Sequence, residues 1–346
     1  MGGTILSVHD LEVSFRTHNH VIKAVRGVSF VLQEGETLAI VGESGSGKSV
    51  TAKSMMKLLP KKSTLINHGS IVYKGQDLLQ YTAREMEKIR GKEISMVFQD
   101  PMTSLNPTMK VGKQVMEGLR KHQQISKKQA YERVRELLEL VGIPNATERM
   151  SAFPHEFSGG MRQRVVIAIA LACHPKVLIA DEPTTALDVT IQAQILDLMK
   201  DLQQQVKTSI MLITHDLAVV ANMAKRVAVM YAGEIVETGL VNEIFYEAKH
   251  PYTWGLLQSM PKMHQKRNVP LIPISGSPPD VNKTHEGCPF AARCPYVMKV
   301  CHHYKPSYTI LSETHSVACW LQDKRAPIVD HPVGATSGGG HVDENH

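Results

Sequence analysis

GESGSGKS, residues 42–49, decides the fold of this chain, because it fits the pattern G-x-x-x-x-G-K-S/T. Four apolar residues precede it, LAIV at 38–41, and they predict a buried strand. Residues 49–59 predict a helix that ends at Pro60. A glycine-rich turn between a strand and a helix presents backbone N–H groups and the positive end of the helix dipole to an anion. The stretch therefore predicts a phosphate-binding loop in an α/β fold; a glycine-rich turn without that role is the alternative.

Each residue type in this loop has an expected task in holding a nucleoside triphosphate. Gly42, Gly45 and Gly47 lack a Cβ, which lets the backbone curl around phosphate oxygens. Lys48 is expected to reach the β- and γ-phosphates, and the Ser49 hydroxyl is expected to ligate Mg²⁺. The residues of this stretch predicted to line ATP are Gly42, Ser44, Gly45, Ser46, Gly47, Lys48, Ser49 and Val50.

Composition and charge argue against several other classes of protein. The 346 residues suffice for one large domain and a small one. No apolar run approaches the ~20 residues that span a bilayer, and residues 1–15 lack the pattern of a signal peptide. The formal charge of +6 comes from Lys and Arg scattered among acids, which favours a solvated surface over nucleic-acid binding. Any association with a membrane is therefore expected to go through a partner.

Strands and helices alternate along most of the chain. Residues 4–41 are predicted as strands and turns, and about 105–157 as helices inserted between strands. We therefore expect an α/β fold with a largely parallel sheet and binding groups at the carboxyl ends of its strands. After His250 prolines become frequent and the periodicity fades. The predicted domains are 1–250, with a helical subdomain at about 105–157, a small irregular domain at 251–325, and a flexible tail at 326–346.

Polar residues follow three of the predicted strands. Asp181 and Glu182 end one apolar run, Gln99 follows a second and His215 a third. Asp181 is expected to hold Mg²⁺ opposite Ser49, and Glu182 to act as the general base for the attacking water. Gln99 is expected to touch the metal or the water, and His215 to sense the γ-phosphate. Taken singly, each has a plainer explanation: solvated acids at a strand end, a turn glutamine and a structural histidine.

A second anion site is predicted at Ser158-Gly159-Gly160, where a hydroxyl and free N–H groups begin an apolar helix. One chain with two phosphate-binding turns suggests a nucleotide held between two subunits. An adenine ring would need a stacking partner as well. Phe15 is a candidate for it, although its place in an alternating strand fits a core position equally well.

The whole set of motifs resembles the ATP-binding subunit of an ABC transporter. GESGSGKS is followed in order by VFQDP, FSGGMRQR, KVLIADE, TALD and ITHD, within residues 4 to about 245. The resemblance implies an ABC-type ATPase domain with a mixed sheet core and a helical insertion. It also implies that two such subunits enclose two ATP molecules, arranged head to tail.

The resemblance assigns roles to individual residues. Those implied to serve the chain's own nucleotide are Lys48, Ser49, Gln99, Asp181, Glu182 and His215, with Ser49, Gln99 and Asp181 around Mg²⁺. Those implied to meet the partner subunit are Ser158, Gly159 and Gly160, at its nucleotide, and Asp188, at the dimer contact. Met161 departs from the family, because many members have Gln there and a thioether cannot replace the hydrogen bonds of an amide. Equivalence of the two ATP sites is therefore left open.

The region after residue 250 narrows the resemblance to the oligopeptide and dipeptide importer ATPases. HPYT at 250–253, GSPP at 276–279 and four clustered cysteines extend it to about residue 320. Nickel importers have closely similar ATPases, so nickel is an alternative to peptide as the transported solute. The resemblance implies a second ATPase subunit, more often a different chain than a copy. It further implies two transmembrane permease subunits, an extracytoplasmic peptide-binding protein and a location at the cytoplasmic face of the cell membrane.

The four clustered cysteines, Cys288, Cys294, Cys301 and Cys319, have five, six and seventeen residues between neighbours. Four thiolates suit tetrahedral Zn²⁺ or an iron–sulfur cluster. Disulfides disagree with the reducing compartment expected of an ATP-using protein without a signal peptide. Because the spacing matches no common zinc or ferredoxin pattern, the resemblance decides in favour of a 4Fe-4S cluster, with zinc and unliganded thiols as alternatives. Its expected role is to staple a small domain that has little core of its own.

Two other functions fit parts of the sequence. A soluble ABC ATPase that acts on DNA or ribosomes usually carries two ATPase units or a long coiled coil, and the sequence shows neither. A regulator that binds ATP without hydrolysing it would not need a carboxylate at Glu182. We therefore expect ATP hydrolysis that powers peptide uptake.

Overall fold

The computed structural model describes residues 3–18, 20–185, 187–260, 273–279 and 286–329. The strands are β1 (Thr4–Arg16), β2 (Val21–Gln33), β3 (Thr37–Val41), β4 (Thr64–Tyr73), β5 (Gln76–Asp77), β6 (Ile94–Val97), β7 (Val177–Asp181), β8 (Ser209–Thr214), β9 (Arg226–Tyr231), β10 (Glu234–Leu240), β11 (Thr309–Ile310) and β12 (Ser316–Val317). The α-helices are α1 (Lys48–Met55), α2 (Ala83–Ile89), α3 (Pro101–Ser104), α4 (Val111–His122), α5 (Lys127–Leu140), α6 (Ala146–Arg149), α7 (Gly159–Leu171), α8 (Val189–Val206), α9 (Leu217–Met223), α10 (Val241–Tyr246), α11 (Pro251–Gln258) and α12 (Lys299–His303). Most of the tail predicted at 326–346 lies outside the described residues.

The phosphate loop follows an inner strand of an eight-stranded sheet with the order β11-β12-β10-β9-β3-β8-β7-β6. Strands β6, β7, β8, β3 and β9 are parallel, whereas β10, β12 and β11 add antiparallel pairs on one side. Every residue of β3, β7 and β8 is buried, as expected for parallel strands that are covered on both faces. The sheet is therefore mixed. Its parallel part brings the carboxyl ends of β3, β6, β7 and β8 to one edge, where the predicted site residues follow.

A second, antiparallel sheet has the order β2-β1-β4-β5. Its buried residues Leu6, Leu11 and Val28 belong to one apolar core with Met55 of α1 and Ile40 of β3. The small sheet therefore packs against the helix and the strand that flank the phosphate loop.

Helices fill the stretch predicted as a helical insertion. There α4, α5 and α6 lie between residues 111 and 149, and α5 begins after its N-cap Ser126, whose Oγ accepts the N–H of Gln129 at 3.3 Å. Val115, Leu119 and Val134 are fully buried, in one core with residues of α7, β6 and β7. The insertion is thus joined by apolar packing to the edge of the large sheet.

Helix α8 is amphipathic, with Ile195, Met199 and Leu202 buried along one face. Its opposite face is exposed. No helix in the described part of the chain is both long enough and apolar enough to cross a bilayer.

The residues after 250 pack onto one side of the large sheet. Strand β12 pairs with β10, and β11 pairs with β12. The rings of Tyr252, in α11, and Phe290 lie 4.5 and 5.2 Å from the ring of Tyr231, at the end of β9. This region therefore shares its apolar core with the sheet that carries the phosphate loop.

The structure corrects the prediction of a domain built on a four-cysteine cluster. Among the described residues, which include the four clustered cysteines, no group of three or more His, Cys, Asp or Glu side chains is placed to hold a metal ion. The prediction of a 4Fe-4S cluster at Cys288, Cys294, Cys301 and Cys319 is therefore wrong. The alternative of zinc at the same residues is wrong for the same reason. The thiols are free, and burial raises the pKa of Cys288 and of Cys319 to about 12, so both stay protonated. Apolar packing and strand pairing hold this region together instead.

Candidate active site

The phosphate loop has a backbone shape that only glycine accommodates at two positions. Gly47 has a φ of 103°, and a Cβ there would lie 2.6 Å from the carbonyl oxygen of Ala24. A Cβ on Gly42 would lie 2.0 Å from the carbonyl oxygen of Met230. Strands β2 and β9 therefore press directly on the loop. The other predicted loop residues are exposed at its tip (Ser44, Gly45), buried (Ser46) or half-buried in α1 (Val50).

Lys48 lies inside the curve of this loop. Its side chain is almost fully buried, and Nζ donates hydrogen bonds to the carbonyl oxygens of Gly42 at 2.7 Å and Glu43 at 2.9 Å. Burial lowers the pKa of Lys48, and nearby carboxylates, with Glu182 the strongest, act in the opposite direction. The ammonium group is thus held at the point where the loop's N–H groups would receive phosphate.

Ser49 and Asp181 meet beside the loop. The Ser49 hydroxyl donates a hydrogen bond of 2.8 Å to Oδ1 of Asp181, the last residue of β7. Asp181 is only 2% exposed, and burial raises its pKa, although the hydrogen bond from Ser49 opposes that change. A hydroxyl and one carboxylate are oxygen ligands of the kind Mg²⁺ takes from proteins when phosphates and water complete its shell. These two residues therefore fit a magnesium ion bound together with ATP.

Glu182 is the centre of a hydrogen-bonded group. Its Oε2 accepts from Nε2 of Gln99 and from Oγ1 of Thr185, each at 2.9 Å, and its Oε1 lies 3.2 Å from Nδ1 of His215. Glu182 also has a positive φ of 49°, an uncommon backbone conformation for this residue type. Two predicted residues, Gln99 after β6 and His215 after β8, are thus brought to the carboxylate that follows β7.

The electrostatic surroundings of Glu182 keep this carboxylate ionised. Burial by itself raises its pKa, but the hydrogen bonds from Thr185 and His215, together with positive charge nearby, outweigh burial, so the pKa lies below its ordinary value. At neutral pH the group is therefore a proton acceptor. That is the protonation state a general base requires.

The predicted second anion site lies at the start of α7. Ser158 is its N-cap, with Oγ accepting the N–H of Met161 at 3.3 Å, and both Ser158 and Gly159 are exposed. A Cβ on Gly160 would lie 2.7 Å from Cγ2 of Ile191, so α7 and α8 approach closely there. No hydrogen bond joins residues 158–161 to the phosphate loop in the part of the chain that the structure describes. The two predicted anion sites are not brought together within this chain.

Two further predicted residues lie at exposed or half-exposed positions. Asp188 is the N-cap of α8, where Oδ1 accepts the N–H of Ile191 at 3.0 Å, and the neighbouring Val189 is 82% exposed. Phe15 lies on β1 opposite Ile22 and is half-buried. Both remain open to another molecule.

Thr185 is a site residue to which sequence reasoning gave no role. Its hydroxyl donates to Glu182, three residues earlier in the chain. Its place within the TALD motif was the available signal, but a hydroxyl at that spacing is common at turns. The hydrogen bond accompanies the positive φ of Glu182, which the sequence does not reveal.

Family models match two parts of the chain. Residues 25–185 match the model described as ABC transporter, and residues 236–301 match the model described as oligopeptide/dipeptide transporter, C-terminal region. The first match contains the phosphate loop, the α7 turn and the acids of β7. The second contains α11 and Phe290, whose aromatic rings pack against Tyr231.

Relatives match nearly the whole chain. It is 60% identical to the oligopeptide transport ATP-binding protein OppD of Bacillus subtilis, over 95% of this chain and 92% of that protein. It is 57% identical to the dipeptide transport ATP-binding protein DppD of the same organism, over 93% and 96% of the two chains. The oligopeptide transport ATP-binding protein OppD of Salmonella typhimurium is 49% identical, over 87% of this chain and 89% of that protein.

A solved structure with the same fold is the dimeric post-hydrolysis state of the ATP-binding cassette MJ0796 bound to ADP and Pi. It is 26% identical, with a TM-score of 0.62, and the match covers 68% of this chain and 98% of that one. The geometry around Lys48, Asp181 and Glu182 belongs to an ATPase, in agreement with these likenesses. The chain is a member of the ABC transporter family, in the group of oligopeptide and dipeptide transport ATP-binding proteins.

Proposed function

We propose that this chain is the ATP-hydrolysing subunit that energises import of oligopeptides or dipeptides across the cell membrane. The observation that carries the ATPase part is the ionised Glu182 carboxylate, held by Gln99, Thr185 and His215 next to the phosphate loop. The solute is supported by the match of residues 236–301 to the peptide-transporter C-terminal region and by the relatives' descriptions.

In the proposed reaction the phosphates of ATP bind the N–H groups of the loop and the ammonium group of Lys48. Ser49 and Asp181 would hold Mg²⁺, which neutralises charge on the phosphates. Glu182 accepts the proton of the attacking water, and its two strand-end neighbours orient that carboxylate. Gln99 also begins the connection to α3 and the helical insertion, so a change at the γ-phosphate has a route to a membrane partner.

We further propose that each ATP is enclosed by two subunits. The turn at residues 158–161, which is exposed at Ser158 and Gly159, has the free N–H groups of a helix start but no hydrogen-bond partner in the phosphate loop of its own chain. The exposed surface around Asp188 is the proposed dimer contact. We propose a related but different ATPase chain as the second subunit, two permease subunits as membrane partners, and a peptide-binding protein outside the membrane, with this chain at the cytoplasmic face.

The proposed division of the chain follows from the same function. Residues 1–250 would form the ATPase domain, with about 105–157 as the subdomain that meets the permeases. Residues 251–325 would form the region characteristic of peptide importers.

Transport in a reconstituted system tests the proposal. The chain, its second ATPase subunit, two permeases and a binding protein would be placed in proteoliposomes, and accumulation of a labelled tripeptide would be compared with accumulation of ⁶³Ni²⁺. We expect ATP-dependent peptide uptake and none by the same assembly carrying Glu182→Gln. Uptake of nickel without peptide would contradict the proposed solute, while leaving the ATPase role intact.

A further inference from the structure

Arg293, in the region after residue 250, contacts the phosphate loop directly. Its guanidinium group holds the carboxylate of Glu43, with Nη1 to Oε2 at 2.6 Å and Nη2 to Oε1 at 3.0 Å. Two parallel hydrogen bonds between an arginine and a carboxylate define both distance and orientation. The two residues are 250 positions apart in the sequence, so this contact exists only because the C-terminal region packs onto the sheet.

The guanidinium group is itself fixed from several sides. Nε donates to the carbonyl oxygen of Ser275 at 2.9 Å, Nη2 to that of Ile274 at 3.1 Å, and Nη1 to the hydroxyl of Tyr231 at 3.3 Å. Together with the two bonds to Glu43 these account for all five N–H donors of the side chain. The side chain is 4% exposed, and its charged carbon lies 5.8 Å from the ring centre of Tyr231. Arg293 is therefore a rigid support and not a flexible surface cation.

Glu43 passes this support on to the nucleotide site. Its backbone N–H donates to the hydroxyl of Tyr252, in α11, at 2.8 Å. Its backbone carbonyl accepts from Nζ of Lys48 at 2.9 Å. Glu43 is thus held by the C-terminal region at its side chain and its backbone N–H. Its carbonyl oxygen is held by Lys48, the lysine expected to bind phosphate.

We propose that Arg293 is a positioning residue for ATP binding: by holding Glu43 it fixes the phosphate loop and neutralises a carboxylate that would otherwise oppose the phosphates. We call this contact the C-terminal brace. It makes the region after residue 250 part of the nucleotide site. The brace rests on the ATPase role of the proposed function and not on the transported solute, so its failure leaves the proposal of peptide import unaffected.

Replacement of Arg293 tests the brace in the full-length chain. In Arg293→Gln the carboxylate of Glu43 loses its counter-charge and the loop loses its support, so we expect the dissociation constant for MgATP to rise about tenfold. Arg325→Gln is the matched control, because Arg325 also makes two contacts to one carboxylate, that of Asp323, but its side chain is 88% exposed. We expect that variant to bind MgATP as the unaltered chain does. Equal affinity of a folded Arg293→Gln and the control would overturn the brace.

A second replacement separates positioning from general loss of structure. Adding Glu43→Gln to Arg293→Gln removes the uncompensated charge, so we expect the double variant to recover at least half of the lost affinity on a logarithmic scale. If the fold-losses of MgATP affinity in Glu43→Gln and in Arg293→Gln simply multiply in the double variant, the two residues are not directly coupled and the brace is overturned. Thermal unfolding of each variant shows whether it is folded. Should Arg293→Gln not fold, Arg293→Lys, which keeps the charge but not the two parallel bonds, replaces it; affinity for MgATP equal to that of the unaltered chain would then count against the brace.

Discussion

The phosphate loop and the Ser158-Gly159-Gly160 turn are both glycine-containing helix starts, yet their surroundings differ. The first is enclosed: Lys48 and Asp181 are 4% and 2% exposed, and strands β2 and β9 press on its glycines. The second is open, with Ser158 and Gly159 exposed to solvent. Both offer free N–H groups to an anion. Only the first is supplied by its own chain with a cation, a hydroxyl–carboxylate pair and a proton acceptor.

This difference bears on the proposal that each ATP is enclosed by two subunits. A helix start surrounded by buried charged groups is preorganised, because those groups are already held by hydrogen bonds and packing. A helix start on the surface contributes N–H groups but neither metal ligand nor base. The open turn therefore has the properties expected of a group lent to another subunit's nucleotide.

Removal of the proton acceptor from the enclosed side has the largest expected effect. Glu182→Gln keeps the size of the side chain but cannot take a proton, so ATP turnover of the assembled transporter should fall by roughly 10²–10⁴-fold. Binding of MgATP should persist, since the residues of the loop are unchanged. Glu247→Gln, at an exposed carboxylate, is the control. Steady-state phosphate release measures the effect, and turnover equal to that of the control would refute the role of Glu182.

Obstruction of the open turn should separate the two sides. Ser158→Arg places a bulky cation on an exposed turn, where it would obstruct the proposed contact with the other subunit's nucleotide. Turnover of the assembled transporter should therefore fall by roughly 10²-fold, while the isolated chain should bind MgATP as before. Ser126→Arg is a close control, because Ser126 and Ser158 each cap a helix by accepting a backbone N–H at 3.3 Å. Loss of either cap should therefore lower the stability of the chain by about 1 kcal/mol. A loss of ATP affinity in the isolated Ser158→Arg chain would show that the turn serves its own nucleotide.

A smaller effect is expected when a single hydrogen bond to Glu182 is removed. Thr185→Ala should reduce the rate of hydrolysis about fivefold, in line with a hydrogen bond of about 1 kcal/mol. The lost bond stabilised the ionised carboxylate, so the pKa of Glu182 should rise and the acid limb of the rate profile should move to higher pH. Thr185→Ser keeps the hydroxyl and should leave the profile in place. A pH profile of Thr185→Ala that coincides with that of Thr185→Ser would mean that this bond does not tune the carboxylate.

Local sequence patterns predicted most elements around the site, because their physical causes are local. The strand before GESGSGKS depends on a short apolar run, and the helices of the insertion depend on apolar residues at helical spacing. The placement of polar residues at strand ends also predicted that the groups following β6, β7 and β8 would lie at one edge of the sheet, where Gln99 and His215 indeed contact Glu182.

Such local patterns do not predict interactions between segments that are far apart in the sequence. Four cysteines close together in sequence predicted ligands of a metal cluster, but the fold leaves them as free thiols that are buried or partly buried, for instance Cys288 beside the apolar core around Phe290. Nothing in the sequence near Arg293 indicated a bond to residue 43. The pairing of β12 with β10 brings this region to the sheet. These two strands differ in length, and no pattern in the sequence indicates which of their residues lie opposite one another.

Sequence alone established the chemical groups that this chain offers: a phosphate loop, polar residues at strand ends, and a second helix start with a hydroxyl and free N–H groups. The tertiary structure alone decided which groups are enclosed, which remain open, and that Arg293 from the C-terminal region holds the loop. The physical reason is that residue types and short spacings define local hydrogen bonding, whereas burial and the meeting of charges depend on which surfaces exclude water from one another.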